Sequence, residues 1–140
     1  MRSHLLQTDI CWHDRQRNFD RVRALLAPVN VAAGDLILLP EMFDKGFSMD
    51  TQETADKDGQ TLSFLTSLAR DFKSYVLGPR VVRASHSAKA SNTISIISPE
   101  GTLIDEYQKI HPFTAGHEHE AFEGGSRVVT FNTTDPPLTI

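Results

Sequence analysis

Three residues of this 140-residue chain have types and positions suited to proton transfer: Glu41, Lys109 and Glu118. Glu41 follows Leu36 to Leu39 and Pro40. Four consecutive aliphatic residues read as a strand buried on both faces. Pro40 has no N–H to donate, so the ladder stops there. Glu41 therefore stands just past the C-terminal end of an inner strand. Ligands usually bind at such ends in open α/β sheets, and a carboxylate there is costly unless something uses it. Lys109 ends a later strand, and Glu118 lies in the loop after it. A carboxylate and an ammonium at neighbouring strand ends form either a plain ion pair or a general base beside a cation that steadies a developing oxyanion. Spacing alone leaves both readings open.

The elements that must position these groups follow in order. His4 to Trp12 reads as a first strand. Asp14 is a helix cap, and Phe19, Val22, Leu25 and Leu26 recur at helical spacing behind it. Pro28 and Gly34 close that helix and its loop. After the strand Leu36–Leu39 comes a long loop, Glu41 to Gln60, and long loops after buried strands are more often functional than not. Gln60 to Tyr75 reads as a second helix. Tyr75 to Gly78 resumes a strand, which Pro79 to Val82 extends past a break. His86 to Ala90 reads as a hairpin tip. Asn92 to Ser98 and Thr102 to Gln108 pair across the Pro99-Glu100-Gly101 turn. A loop from Ile110 to Gly125, a late strand Arg127–Phe131 and the opening of another at Leu138–Ile140 complete the chain. Strand, helix, strand, helix, then hairpins predicts a layered α/β or α+β fold.

Composition narrows the function classes. Hydrophobic residues make up 39% and charged residues 23%, which indicates a globular domain and, at this length, one at most. A net charge of −4 and a pI near 5.8, with no basic cluster, argue against a nucleic-acid surface. The apolar runs are too short to span a bilayer, and the N-terminus lacks the apolar core of a signal peptide. Cys11 is the one cysteine, so no internal disulfide forms and a reducing cytoplasm is the expected setting.

Two motifs carry a family resemblance. They are Leu39-Pro40-Glu41-Met42-Phe43 with Gly46-Phe47-Ser48, and Tyr107-Gln108-Lys109-Ile110-His111-Pro112-Phe113 followed by Gly116 and Glu118. Asn92 ahead of the Pro99-Glu100-Gly101 turn fits the same pattern. Together the motifs resemble the carbon–nitrogen hydrolase (nitrilase) superfamily, and the Glu-Met-Phe and Gly-Phe-Ser pieces resemble its omega-amidase branch. The resemblance covers essentially the whole chain. It implies an α-β-β-α sandwich, usually dimeric, and a catalytic Glu, Lys and Cys that need no metal or other cofactor. By motif position, Glu41 matches the general base and Lys109 the catalytic lysine. Glu118 matches a second glutamate that holds the lysine and helps position substrate. The implied chemistry is hydrolysis of small omega-amides of 2-oxo dicarboxylates to acid and ammonia, through a thioester. Phe43, Phe47 and Phe113 are candidate lining residues of the acyl pocket, although aromatic loop residues more often pack.

The sequence also departs from that pattern. The family's nucleophilic cysteine lies in a Cys-Tyr-Asp-type motif on a strand beyond Thr130–Ile140, so residues 1–140 are expected to be an incomplete domain, the N-terminal half of a sandwich, inactive by itself. Cys11 is not expected to substitute, since free cysteines are usually buried and inert. Two rival readings belong to other classes. Half a sandwich exposes apolar sheet face and strand edges, which suits a binding or assembly module. Alternatively, His117 and His119, alternating with Glu118 and Glu120, carry metal-ligand types and would share one face if extended. Their spacing matches no zinc signature.

Overall fold

A computed structural model describes residues 1–84, 87–134 and 136–140. His86, the start of the expected hairpin tip, lies outside the described residues. Strands are β1 (Ser3–Leu5), β2 (Leu36–Leu38), β3 (Tyr75–Val82), β4 (Ala90–Ile97), β5 (Leu103–Gln108) and β6 (Phe122–Glu123). Helices are α1 (Arg15–Leu26), α2 (Thr51–Thr54), α3 (Gln60–Phe72) and α4 (Glu118–Ala121), with a 3-10 turn at Thr114–Gly116.

Alternation along β2 explains why its whole run is aliphatic. Successive side chains point to opposite faces. Ile37 and Leu39 enter a core beneath the helices with Phe19, Val22, Leu65 and Leu68. Leu36 and Leu38 enter a second cluster on the other face, with Tyr75, Ile96 and Phe131. The sheet order is β1-β2-β3-β4-β5, parallel across β1-β2-β3 and antiparallel across β3-β4-β5. The expected α/β class is therefore present as one mixed sheet with α1 and α3 against one face.

Helix ends follow local chemistry. Asp14 caps α1 by accepting from the Arg17 amide. Leu25, one step round from the buried Leu26, is 45% exposed and lies off the apolar face to which its spacing assigned it. Lys73 turns left-handed (φ 49) and donates to the Ala69 and Arg70 carbonyls. That cap ends α3 at Phe72, so Tyr75 opens β3 and is not the last helical residue.

Other boundaries move too. β1 ends at Leu5, well short of Trp12. β3 runs unbroken through Pro79, because β2 pairs only as far as Leu77. The Leu77 carbonyl accepts from the Leu39 amide on the β2 side, and two residues on the Pro79 nitrogen faces that same side, where no ladder continues. Arg127–Phe131 forms no strand. Its end, Phe131 to Thr133, pairs instead with Leu138 to Ile140 around an Asn132–Thr139 bridge. The loop after β5 holds the 3-10 turn, α4 and β6, and β6 runs parallel beside Ala90 and Ser91 where β5 has already ended.

The directions of the strands decide the site. β2, β3 and β5 run the same way, so Glu41 and Lys109 leave the sheet at one end. Their strands are not neighbours, however. β3 and β4 stand between them, a separation of three strand spacings of about 4.8 Å each. Long side chains and β4 itself must close that gap.

Gly78 sits where α3 comes closest to β3, and a Cβ there would overlap the Leu65 side chain. Leu65 is wholly buried and has no room to retreat. Gly78→Ala is expected to lower stability by about 1–3 kcal/mol through overpacking. A drop in the urea midpoint at unchanged slope checks this.

Candidate active site

Lys109 Nζ donates to Glu41 Oε1 at 2.9 Å and to Glu118 Oε2 at 2.8 Å. Asn92, on β4, fills the space between the outer strands. Its side-chain NH2 donates to Glu41 Oε1 at 2.6 Å and to Glu118 Oε1 at 3.0 Å. The Phe113 amide donates to Glu118 Oε2 at 2.6 Å. The structure thus brings together all three charged residues singled out by the sequence. In the sequence Asn92 is only part of a motif, which assigns it no role. The available signal was a polar residue on the same strand face as Ile94 and Ile96.

Local backbone geometry aims Glu41. Met42, immediately after it, is fully buried and left-handed (φ 48), a conformation costing a non-glycine residue about 1 kcal/mol. Surrounding contacts hold it. The Met42 carbonyl accepts from Gly46, whose own φ of 88 suits glycine, and the Trp12 ring lies where a Gly46 Cβ would go. Asp44 in the same turn accepts from Arg15 and Thr61, and its carbonyl accepts from Asn18. Burial pushes the Asp44 carboxyl up, against the hydrogen bonds and charge of Thr61 and Arg15. Helix α1 therefore anchors the turn that carries Glu41.

Lys109 is placed by the change of partner along β4. Its amide donates to the Asn92 carbonyl, and its own carbonyl accepts from Gly125. Glu118 opens α4 behind the left-handed His117 (φ 58), with its side chain turned inward.

The three charges differ in exposure. The Glu118 side chain has no solvent access, Lys109 is 27% exposed and Glu41 is 48% exposed. Burial by itself raises a carboxyl pKa, but the Lys109, Phe113 and Asn92 donors outweigh it and hold Glu118 below the ordinary range. Burial likewise pulls Lys109 down, while Glu118 and Glu41 more than compensate and leave its pKa raised. Lys109 is thus a fixed cation and Glu118 a fixed anion. Glu41 is the carboxylate with open access to a ligand.

An open cleft of about 600 Å³ adjoins Glu41 and Lys109, lined also by Phe47, His111, Pro112, Phe113 and Thr114. A smaller hollow of about 200 Å³ lies beside it among Leu39, Pro79, Asn92, Ile94 and Tyr107. Phe47 and Phe113 therefore line the cleft, with the Phe47 ring centroid 5.4 Å from Lys109 Nζ. Phe43 does not. It is 1% exposed, packed near Phe19 and Phe64 in the core beneath the helices. Strand alternation and loop position could not distinguish these rings, because the turn at Met42 sends neighbouring side chains to different clusters.

Cys11 lies beyond the shortened β1, its backbone paired with the Asn18 side chain, and it lines neither cavity. His117 to Glu120 is a helical turn and not an extended segment. Glu118 is committed to Lys109, Asn92 and Phe113, while His117 pairs with Glu120. Among the described residues, no group of three or more His, Cys, Asp or Glu side chains is arranged to hold a metal ion. Among them, too, no helix is long and apolar enough to cross a membrane.

The carbon-nitrogen hydrolase family profile matches residues 5–137. The chain belongs to the carbon–nitrogen hydrolase family. It is 28% identical over 130 residues to the hydrolase in the agr operon of Staphylococcus aureus, covering 91% of this chain and 49% of the relative. It is 29% identical over 121 residues to Omega-amidase YafV of Yersinia enterocolitica, covering 86% and 45%. The crystal structure of a CN-hydrolase superfamily protein from Xanthomonas campestris, with an arsenic adduct in its active site, superposes at a TM-score of 0.83 and 31% identity. It covers 94% of this chain and 48% of that one. The chain spans about half the length of the curated relatives it matches.

The fixed charges make an acid-stability prediction. Glu118 has a lowered folded-state pKa, so its contribution is present above the unfolded value near 4.5 and is lost as pH falls through the lower folded value. Lys109, with a raised pKa, contributes below 10.5 and loses that contribution as pH rises through the raised value. Glu118→Gln is expected to cost about 2–3 kcal/mol at neutral pH by leaving the Lys109 ammonium poorly paired. It should also flatten the acid limb of stability against pH. Urea titrations of both proteins across that range check the sign, and an unchanged acid limb would contradict it.

Proposed function

We propose that this chain contributes the glutamate–lysine part of an amidase centre that hydrolyses small omega-amides of 2-oxo dicarboxylic acids. The observation that carries the reading is the single ammonium, Lys109 Nζ, held between one buried and one half-exposed carboxylate at the mouth of an open cleft. A plain ion pair needs one carboxylate. A second, wholly buried one fixes the cation in place, as oxyanion stabilisation requires. Matches to omega-amidases and to a 2-oxoglutaramate amidase of Bacillus subtilis support the amide class and the substrate type.

In this reading a thiol attacks the amide carbonyl carbon and Glu41 takes its proton. Glu41 must do so, because an ordinary thiol is mostly protonated at neutral pH. Lys109 stabilises the oxyanion. Collapse breaks the C–N bond, Glu41 returns the proton to the departing ammonia, and a water deprotonated by Glu41 then attacks the thioester carbon, breaking the C–S bond and releasing the acid as the thiolate takes that proton back from Glu41. Glu118 holds Lys109 charged and oriented. Phe47 and Phe113 line the substrate cleft. The sulfur is not among these 140 residues in a suitable place, since Cys11 lines neither cavity. The 140-residue chain alone is therefore proposed to be inactive.

The test is a chimera in which residues 5–137 replace the matching half of the Yersinia omega-amidase. Ammonia release from 2-oxoglutaramate is expected from the chimera and not from the 140-residue chain. Glu41→Gln or Lys109→Met in the chimera should lower kcat/KM by at least ~10²-fold. Full activity in either variant, or steady turnover by the 140-residue chain, would sink the proposal.

A further inference from the structure

We infer that Asn92 is a positioning residue that makes Glu41 a one-sided base, leaving Oε2 as the oxygen that takes the proton. The count of donors carries this. Glu118 has both oxygens committed: Oε1 accepts from Asn92, and Oε2 accepts from Lys109 and the Phe113 amide. Glu41 has only Oε1 committed, to Asn92 and Lys109. Among the described residues Glu41 Oε2 accepts no hydrogen bond, and the side chain is half exposed beside the cleft.

Asn92 suits this task because its amide does not titrate. An NH2 group has two hydrogens, and Asn92 spends one on each carboxylate. Two carboxylates close to one lysine would otherwise compete for its hydrogens and repel each other. The amide separates them and orients both. When a proton arrives at Glu41 Oε2, breaking a bond to sulfur or oxygen and forming one to Oε2, Asn92 and Lys109 still hold Oε1. The carboxyl therefore does not rotate between receiving that proton and giving it to the leaving nitrogen. What the free oxygen does rests on the amidase reading; which oxygen is free does not.

The groups around Asn92 are few. Glu41, Glu118 and Lys109 face it directly, and His111 and Tyr107 stand on the walls of the two adjoining hollows. NMR titration of the 140-residue protein reads the arrangement without substrate. The two Asn92 side-chain amide protons are expected to shift with pH, one following Glu41 and the other Glu118. Amide protons that ignore both titrations overturn the inference with no variant needed. In Asn92→Ala, or Asn92→Ser if the alanine variant does not fold, the Glu118 midpoint should rise by about one pH unit, the loss expected for one charge-assisted donor. An unmoved Glu118 midpoint in a folded variant also overturns it. In the chimera, the acid limb of kcat/KM against pH should move up by a similar amount, which simple loss of folded protein would not produce. If the chimera is inactive while the amide protons titrate, the amidase reading fails and the assignment of oxygens stands.

Discussion

A carboxylate with no solvent access must find every partner inside the protein, and at the candidate site Glu118 is such a carboxylate. Leaving it unpaired would cost far more than most single contacts supply. Its three hydrogen bonds come from separate pieces of chain: Lys109 after β5, Asn92 on β4 and the Phe113 amide in the following loop. Meeting that one requirement fixes the lysine, the asparagine and the loop relative to each other. Glu41 then joins a set that is already rigid. It shares two donors with Glu118 but keeps its access to the cleft.

The division of labour between the two glutamates follows from burial. Similar donors stabilise the charged form of Glu118 and grip one oxygen of Glu41. The first carboxylate is sealed and serves as a counter-ion. The second is half open and, in the proposed amidase reading, is the one that exchanges a proton. Such a difference between like groups in one site is the arrangement from which acid–base roles are read. The left-handed Met42 belongs to the same logic, since local strain is tolerated where surrounding contacts over-determine it. Here those contacts come from α1, through Arg15 and Asn18, and from Gly46 beneath Trp12.

The rest of the fold serves this corner in a simple way. Parallel pairing of β2 with β3, and two antiparallel steps to β5, send three strand ends in one direction. Helices α1 and α3 cover one face of the sheet, and the Phe131 segment covers part of the other. Asn92 shares that second face with Ile94 and Ile96, so the site lies where this face meets the strand ends.

Much of this was legible in the chain itself. An aliphatic run ended by a proline placed Glu41 at a strand end, because a residue without an N–H cannot extend a ladder. The two motifs identified the family, and Asp14 marked a helix start. Other features depended on contacts distant in sequence. Tyr75 looked helical until Lys73 turned left-handed; Pro79 looked like a break until β2 proved too short to reach it. Phe43, Phe47 and Phe113 were alike as letters, yet one is core and two line the cleft. Asn92 looked like one polar residue in a strand. Only the tertiary structure, by setting β3 and β4 between the two strand ends, left a gap that an amide with two hydrogens fills. Sequence determined which groups could carry charge. The fold decided which would be buried, and burial decides how each charge can be used.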